Sequence, residues 1–330
     1  MGGKSRLKNN NKFFIVSEVV MGFMVLVLAA LMLGERNRDA RAKVSVIVCD
    51  SDNSGWAAFK YGVRMAAEDR GIEVVIAATE SVLSLEEEEA LIKNEIDSGA
   101  DAVIVQPVPD SGAEEMLKRV RKRVPVMLVE SPLSGTDEGS ALPVTGPDNY
   151  AMGAALAEKM LEDYSGNLEG KTVGILSQTM DAEMTALRVD GFCDTLKNTG
   201  INLEWFVSGN FDDGGADYLE SQARVDFVAA LDDGSLTAAG ERASEHGLHG
   251  AGVYGIAHST QAAYYLDTGV VECLVVPDEF NVGYQSMSEI ADSLEHFFHK
   301  EESREVLYTV IRRETLFSEE NQEILFTMSQ

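Results

Sequence analysis

From Val44 onward, short and almost wholly apolar runs alternate with amphipathic stretches, and this alternation is the feature that most constrains the fold. Apolar runs that are each followed by a single helix indicate parallel strands whose sheets are covered on both faces. The sequence therefore predicts an α/β body. The predicted strands are 44–49, 73–77, 102–105, 125–129, 172–176, 203–207, 226–230, 252–256, 271–276 and 306–311. The predicted helices are 56–70, 85–98, 111–121, 148–163, 182–198, 215–223, 233–246, 259–267 and 279–300.

Two interruptions of this alternation divide the body into lobes. Residues 131–147 are rich in Gly, Pro and Ser and follow the fourth strand, and Pro277 precedes the long helix 279–300. The last helix and strand most economically return to the first lobe. We therefore expect two doubly wound parallel-sheet lobes joined by a multi-strand hinge. The first lobe comprises 44–145 plus 279–312, the second comprises 146–278, and 313–330 forms a C-terminal tail.

An apolar segment precedes the body. Residues 13–33 follow a basic leader, and 21 helical residues span ~30 Å, which is about one hydrocarbon core. Glu18 interrupts the segment, and the uncharged part, 19–33, has a length also found in signal-peptide cores. We predict one N-terminal transmembrane helix that acts as an uncleaved signal anchor, within a leader and linker of residues 1–43. A cleaved signal peptide remains the alternative. Lys and Arg are equally frequent on both sides of the segment and do not set its orientation.

Charge and cysteine content exclude several classes of protein. The net charge is −28, and residues 1–43 carry eight basic against three acidic side chains, so the remaining chain holds −33. A body this acidic repels phosphate backbones, which argues against nucleic-acid binding. The three cysteines, Cys49, Cys193 and Cys273, form no CxxC pair, so neither a disulfide scaffold nor a zinc site is predicted.

Catalytic motifs are missing from the sequence or lie in the wrong context. Gly250 to Gly255 spells GxGxxG, but the motif runs into a strand, whereas a dinucleotide site needs it to follow a strand and open a helix. We find neither a GxSxG nucleophile motif nor an HExxH zinc motif. The sequence predicts no enzyme, no catalytic residue, no cofactor and no metal.

A ligand site is expected beyond the carboxyl ends of the strands, where open parallel sheets bind ligands and where two hinged lobes enclose a cleft. Aromatic rings there suit the apolar faces of a sugar, and charged or amide groups suit its hydroxyls. The candidates are Asn53, Trp56, Glu130, Ser131, Arg188, Phe211, Asp232 and His258. Several of them also have a purely structural interpretation: Asn53 as a helix cap, Trp56 and Phe211 as packing residues, Arg188 in an ion pair, and Asp232 as a helix start.

Local motifs in this order resemble one family. They are Asp52-Asn53-Ser-Gly-Trp56 leading to Gly62, Gly99–Pro107, Val124–Glu130, Gly146-Pro-Asp148-Asn149, Arg188-Val-Asp-Gly191-Phe192 and Leu231-Asp232-Asp233. Together they resemble the ribose/galactose type of periplasmic sugar-binding proteins, which share the type I solute-binding fold with lactose-repressor-type regulators. The resemblance spans roughly 44–312.

The resemblance implies roles for several candidates. Asn53 matches the first-lobe amide ligand, Trp56 a stacking aromatic, Glu130 an acid that binds hydroxyls, Arg188 the second-lobe arginine and Phe211 the second-lobe aromatic. The chain departs from the family where Ser131 replaces an arginine and Leu231 an amide. It also departs where Ala257 or His258 replaces an acid and Pro277 or Asp278 a glutamine, which adds Asp278 to the candidates. These departures remove several sugar contacts.

The combined interpretation is a monomeric solute-binding protein, held in the cell membrane by a single N-terminal helix, with residues 44–330 outside the cytoplasm. It would capture a small sugar-like ligand and present it to an ABC permease. A repressor of this fold begins with a helix-turn-helix motif, whereas this chain begins with an apolar segment, so DNA binding is not expected. The alternatives are a ligand-sensing module for a sensor kinase or chemoreceptor, or a degenerate domain that binds no ligand.

Overall fold

The computed structural model describes residues 18, 20–25, 41–52, 54–79, 83–133, 141–178, 182–209, 211, 219–296 and 299–326. The chain divides into two units after Ala42, and both lobes belong to the unit that begins at Lys43. Most of the predicted anchor 13–33, and the candidate Asn53, lie outside the described residues. None of the helices in the described ranges is both long and apolar enough to cross a bilayer.

The first lobe is built on a six-stranded sheet with the order β2-β1-β3-β4-β5-β11, in which every neighbouring pair is parallel. Its strands are rich in Val and Ile, whose branched side chains pack well on a pleated surface that is covered on both sides. They are β1 (Lys43–Ile47), β2 (Glu73–Ile76), β3 (Ala102–Val105), β4 (Val126–Val129), β5 (Val144–Pro147) and β11 (Arg304–Val306).

The second lobe has a matching sheet with the order β12-β10-β9-β8-β6-β7. Its strands are parallel except for the edge strand β12, which runs antiparallel to β10. They are β6 (Thr172–Ser177), β7 (Asn202–Ser208), β8 (Phe227–Ala230), β9 (Gly252–Ile256), β10 (Val271–Pro277) and β12 (Tyr308–Ile311).

Helices cover both sheets. They are α1 (Ala57–Arg70), α2 (Leu85–Asp97), α3 (Ala113–Arg121), α4 (Asn149–Asp163), α5 (Glu183–Leu196), α6 (Asp233–Ser244), α7 (Thr260–Asp267), α8 (Glu279–Glu295) and α9 (Glu319–Phe326). The closest helix pairs are α1 with α8 in the first lobe and α4 with α5 in the second. Both pairs depend on glycine, because a Cβ on Gly62 would overlap the carbonyl oxygen of Phe280 and a Cβ on Gly153 would overlap that of Arg188.

The second sheet is buried on both of its faces. Successive residues of a strand point to opposite faces of the sheet, so neighbouring residues enter different apolar clusters. Val228 and Ala230 belong to one apolar cluster, whereas Ala229 and Leu231 belong to the cluster on the other face. All four are buried. This arrangement explains why the strands appear in the sequence as continuous apolar runs instead of alternating with polar residues.

The structure confirms two doubly wound lobes connected by three crossings: β5 to α4, β10 to α8, and β11 to β12. The last crossing corrects the predicted strand 306–311. The run divides at Leu307, so that β11 completes the first sheet while β12 joins the second. Leu307 itself is 81% exposed, although Val306 and Ile311 on either side are buried in different lobes. One apolar run thus supplies two cores.

Other boundaries also shift. Residues 144–147, expected in the irregular linker, form β5, and the long helix predicted over 279–300 ends at Glu295. Of the predicted helix 215–223, residues 215–218 lie outside the described ranges, and the helical part of the remainder ends at Glu220. In the C-terminal tail, Leu316 and Leu325 join the apolar core of the second lobe.

Candidate functional site

The carboxyl ends of the two sheets meet at the crossings, and direct polar contacts join the lobes there. The Nε2 atom of His258, which follows β9 in the second lobe, lies 3.0 Å from the carbonyl oxygen of Gly55 in the first. The backbone N–H of Met184 donates to Oγ of Ser131 at 3.4 Å. The candidate site is the cleft between these contacts.

Arg188 lies on α5 and is only 4% exposed. Its Nε donates to Oδ1 of Asn149 at 2.8 Å, and its Nη1 donates to the carbonyl oxygen of Leu231 at 2.6 Å. The amide group of Asn149 in turn donates to the carbonyl oxygen of Glu130 at 3.2 Å. Arg188 therefore links α5 to the end of β8 and, through Asn149, to the end of β4 in the first lobe.

His258 forms an ion pair with Asp233, the first residue of α6. Its Nδ1 lies 2.9 Å from Oδ2 of Asp233 and 4.0 Å from Oε1 of Glu279. Since Nε2 faces the Gly55 carbonyl and Nδ1 faces a carboxylate, both ring nitrogens must donate, so the ring is an imidazolium. Burial alone would lower the pKa of His258, but the facing carboxyl groups, Asp233 first and then Glu279 and Glu130, outweigh burial and raise it to about 10.

Asp233 is the other half of that ion pair. Burial alone would raise the pKa of Asp233, but the charge of His258 and hydrogen bonds from His258 and Ser259 hold it well below its usual range. Both partners are therefore charged over the whole neutral range.

Glu130 and Glu279 face each other in the cleft. Glu130 directly follows β4 with φ of 68°, and Glu279 is the first residue of α8. Their exposed fractions are 8% and 4%, and the Oε1 atom of each has no hydrogen-bond partner among the described residues. The two carboxyl groups lie within hydrogen-bonding reach of each other. Burial, and next the charge of Glu130, raise the pKa of Glu279 well above its usual value.

Trp56 and Ser131 lie at the first-lobe side of the cleft. The indole Nε1 of Trp56 donates to the carbonyl oxygen of Cys49 at 2.9 Å, and its ring meets Phe59 edge-on with centroids 5.3 Å apart. The ring is half-buried. Besides accepting from Met184, Ser131 donates its hydroxyl to the carbonyl oxygen of Pro132 at 3.2 Å.

Three other candidates have structural roles. Asp232 is the N-cap of α6 and accepts from the backbone N–H of Ser235 at 2.9 Å, from the hydroxyl of Ser177 and from the backbone of Gln178. Asp278 is the N-cap of α8 and accepts from Asn281. Phe211 lies in the apolar core of the second lobe. The structure thus brings Glu130, Ser131, Arg188 and His258 together, whereas Asp232, Asp278 and Phe211 are engaged in their own lobes.

Sequence reasoning missed Glu279 and Asn149. Glu279 immediately follows the candidate Asp278, and a glutamate in the first turn of a helix is explained equally well by the helix dipole. Asn149 lies within the motif Gly146-Pro-Asp148-Asn149, whose pattern alone does not predict a role in the cleft. In both cases the informative feature is a long-range neighbour, which no local pattern contains.

The described residues also include one group of metal-type ligands outside the cleft. Asp292, Glu295 and His296 at the end of α8 bring ligand atoms within 4.8 Å of one another. Arg70 already pairs with Asp292 at 2.7 Å, so the protein itself supplies a cation there. The cluster is solvent-exposed or half-buried and does not indicate a metal centre.

Comparisons with known proteins agree with this architecture. The family model described as a periplasmic binding protein domain matches residues 44–296. The galactofuranose-binding protein YtfQ of Escherichia coli (strain K12) is 27% identical over 161 residues, which are 48% of this chain and 49% of that protein, so the match spans about half of each.

Among solved structures, a carbohydrate transporter solute-binding protein of Agrobacterium radiobacter in complex with D-arabinose superposes with a TM-score of 0.75 at 19% identity. The superposition covers 87% of this chain and 99% of that one. A structure of the XylFII–LytSN complex matches with a TM-score of 0.71 at 16% identity, covering 83% and 99% of the two chains. At these identities the likeness shows the fold.

Proposed function

Because this chain belongs to the periplasmic binding protein family, we propose that it is an extracytoplasmic solute-binding protein that captures a small sugar-like ligand between its two lobes. The observation that carries the proposal is the pair of buried carboxyl groups, Glu130 and Glu279, whose Oε1 atoms have no partner among the described residues. A buried acceptor without a donor is costly, and a ligand hydroxyl or amine satisfies it.

In this proposal, the ligand makes more contacts when the two lobes meet than when they are apart. The first lobe supplies the carboxyl pair and the half-buried ring of Trp56, and the second supplies Arg188 and His258. A ligand that touches both faces stabilises the arrangement in which the lobes meet, since it has fewer contacts when they are apart. The closed surface then serves as the signal that a partner recognises.

The partner we propose is the permease of an ABC transporter, to which the closed lobes present the ligand. The chain is a monomer in this proposal, and residues 13–33 hold it at the membrane. A sensor kinase is the second candidate partner. It is supported by the similarity to the XylFII–LytSN complex, in which a protein of this fold is assembled with a second protein.

The first experiment is a thermal-shift screen of the full-length chain, purified in mild detergent, against pentoses, hexoses, sugar acids and polyols, beginning with D-arabinose. A ligand that binds only the folded state raises the midpoint, by ~2.7 kcal/mol of stability at a hundredfold excess over Kd. Small-angle scattering of the same sample should show a smaller radius of gyration with ligand. A panel without any shift, or a shift without compaction, would contradict the proposed capture.

A matched pair of tryptophans tests the location of the site. Trp56→Ala should weaken binding of the hit by about tenfold or more, since a stacked aromatic is lost from the cleft. Trp205, whose Nε1 bonds to Ala223 in the second lobe, is the control. Trp205→Ala should leave the affinity of the folded fraction unchanged. Equal losses of affinity from both substitutions would show that the ligand does not bind in the cleft.

The two partners are separated by affinity purification of the tagged chain from native membranes, followed by peptide mass spectrometry. Recovery of permease and ATPase subunits that increases with ligand supports transport. Recovery of a histidine kinase in their place supports sensing.

A further inference from the structure

The Glu130–Glu279 pair has an unusual chemical requirement. Both residues belong to the first lobe, since Glu130 directly follows β4 and α8 packs against α1 and the first sheet. An ionised carboxylate only accepts hydrogen bonds, so two carboxyl groups in contact need a donor between them. In the absence of ligand that donor is a proton on Glu279, in agreement with the raised pKa of this residue.

Charge balance leads to the same conclusion. Five charged side chains face one another here: Glu130 after β4, Glu279 on α8, Asp233 on α6, His258 after β9 and Arg188 on α5. With every group ionised, three acids oppose two bases and one negative charge remains uncompensated. Burial makes such a charge expensive, so the site needs one more positive charge.

Most hydrogen-bond donors of the cleft already have partners among the described residues. The described contacts engage both ring nitrogens of His258, Nε and Nη1 of Arg188, and the indole N–H of Trp56. The buried side-chain atoms of the described cleft residues that lack a hydrogen-bond partner are two carboxylate oxygens, Oε1 of Glu130 and Oε1 of Glu279. Two buried acceptors without a donor therefore lie at the place where positive charge is short.

We propose that Glu130 and Glu279 together bind the protonated amino group of a sugar-like ligand, such as an amino sugar or amino polyol. This inference rests on the proposed function and narrows its ligand class. An ammonium group supplies up to three donors and one positive charge, so it takes the place of the shared proton. A neutral hydroxyl supplies one donor and no charge, so the proton must remain.

The test uses aminohexoses with their neutral counterparts. D-glucosamine, D-galactosamine and D-mannosamine are each compared by titration calorimetry with the parent hexose and with the N-acetyl derivative, which keeps the size but loses the charge. An aminohexose should bind the full-length chain at least tenfold more tightly than both counterparts. Its affinity should rise between about pH 5.5 and about pH 7.5, because binding displaces the proton from Glu279.

Glu279→Gln is the decisive variant. Glutamine resembles the protonated acid in shape and polarity, so the fold is retained while the second negative charge is lost. The preference for the aminohexose over its neutral counterparts and the pH dependence of its affinity should both disappear. Glu295→Gln, the same change at an exposed position of the same helix, should leave the preference intact.

Each outcome has a separate meaning. If neutral hexoses bind as tightly as the aminohexoses, or if Glu279→Gln retains the preference, the amino-group assignment is wrong and the proposed solute-binding function stands. If no aminohexose binds while neutral sugars do, the assignment is equally wrong. If neither class binds to a well-folded sample, the sugar-binding proposal fails together with the inference.

Discussion

The two lobes have the same architecture, but the side chains that they present to the cleft differ in charge and in how far their hydrogen-bonding groups are satisfied. Each has a six-stranded sheet and a helix pair in backbone contact at glycine. The first lobe presents Glu130 and Glu279, whose Oε1 atoms have no hydrogen-bond partner in the part of the chain that the structure describes. The second presents Arg188 and His258, which are bound by acceptors of their surroundings, namely Leu231, Asn149 and Asp233.

If the proposed ligand capture holds, this difference divides stability and ligand selection between the two lobes. The second-lobe surface is preorganised, because its cations already have partners and fixed geometry. The first-lobe surface keeps unsatisfied hydrogen-bonding capacity, because its acids lack donors. Structural stability should therefore depend on the second-lobe cations, whereas ligand selection should depend on the first-lobe acids.

The largest expected effect contrasts the two surfaces directly. Arg188→Met leaves Leu231 and Asn149 as buried acceptors without a donor, and should lower the free energy of unfolding by roughly 3 to 5 kcal/mol. Glu130→Gln removes a charge that has few partners and should cost less than ~1 kcal/mol. Urea denaturation measures both, with the exposed Arg224→Met as control. Equal losses in the free energy of unfolding for Arg188→Met and Glu130→Gln would contradict the proposed difference between the two cleft surfaces.

The second prediction concerns pH. His258 holds its proton up to about pH 10 in the folded chain, whereas the unfolded residue loses it near pH 6.5. Its contribution is complete below about pH 6.5 and is lost as the pH rises toward 10. The raised pKa of Glu279 changes stability in the same direction, because the unfolded carboxyl group loses its proton at a lower pH. Stability should fall by roughly 2 to 3 kcal/mol between about pH 6.5 and about pH 9.

Urea denaturation at the two pH values measures this loss. His258→Gln should reduce it, and His296→Gln, at an exposed position on the first lobe, should not. Stability that stays level over this interval would contradict the charged pair between His258 and Asp233.

The third prediction tests the equivalence of the lobes. Gly62→Ala and Gly153→Ala each place a methyl group on a backbone carbonyl oxygen of the facing helix. Each should cost about 2 kcal/mol, because the helices must separate. Gly22→Ala is the neutral control, because a Cβ on Gly22 would have no other atom within 4 Å. A large loss in one lobe alone would show that the other tolerates separation of its helices.

The smallest effect distinguishes two helix caps. Asp232→Ala removes the cap of α6 and the acceptor for Ser177 and Gln178, and should cost about 2 kcal/mol. Asp278→Ala removes the cap of α8 and its bonds to Asn281, and should cost about 1 kcal/mol. Thermal unfolding compares them. A larger loss at 278 would mean that the hinge, and not the second lobe, depends more on its cap.

Much of the fold was predictable because it depends on local pattern. Runs such as 102–105 and 126–129 are apolar throughout, since helices cover both faces of their sheet, and that pattern distinguishes parallel strands from exposed ones. The division of 306–311 was not predictable from the sequence. Val306 is apolar because it is buried in the first lobe and Ile311 because it is buried in the second, and no local pattern distinguishes the two cases.

The candidate site was predictable in part. The rule that ligands lie beyond strand carboxyl ends identified Glu130 and His258, which the structure places in one charged cluster. It did not identify Glu279, which begins a helix and reaches the cluster only because α8 crosses back to the first lobe. The ligand-binding roles of Trp56, Arg188 and the other candidates stay predictions.

The sequence alone determined the α/β class, the presence of two lobes and the edge at which polar residues collect, because each follows from the period and composition of short segments. The tertiary structure decided that β11 and β12 belong to different sheets, that His258 contacts the other lobe and that two acids lie side by side. Such pairings join residues up to 203 positions apart, as between Gly55 and His258. Their energies depend on burial and neighbouring charge, which arise only when the chain is folded.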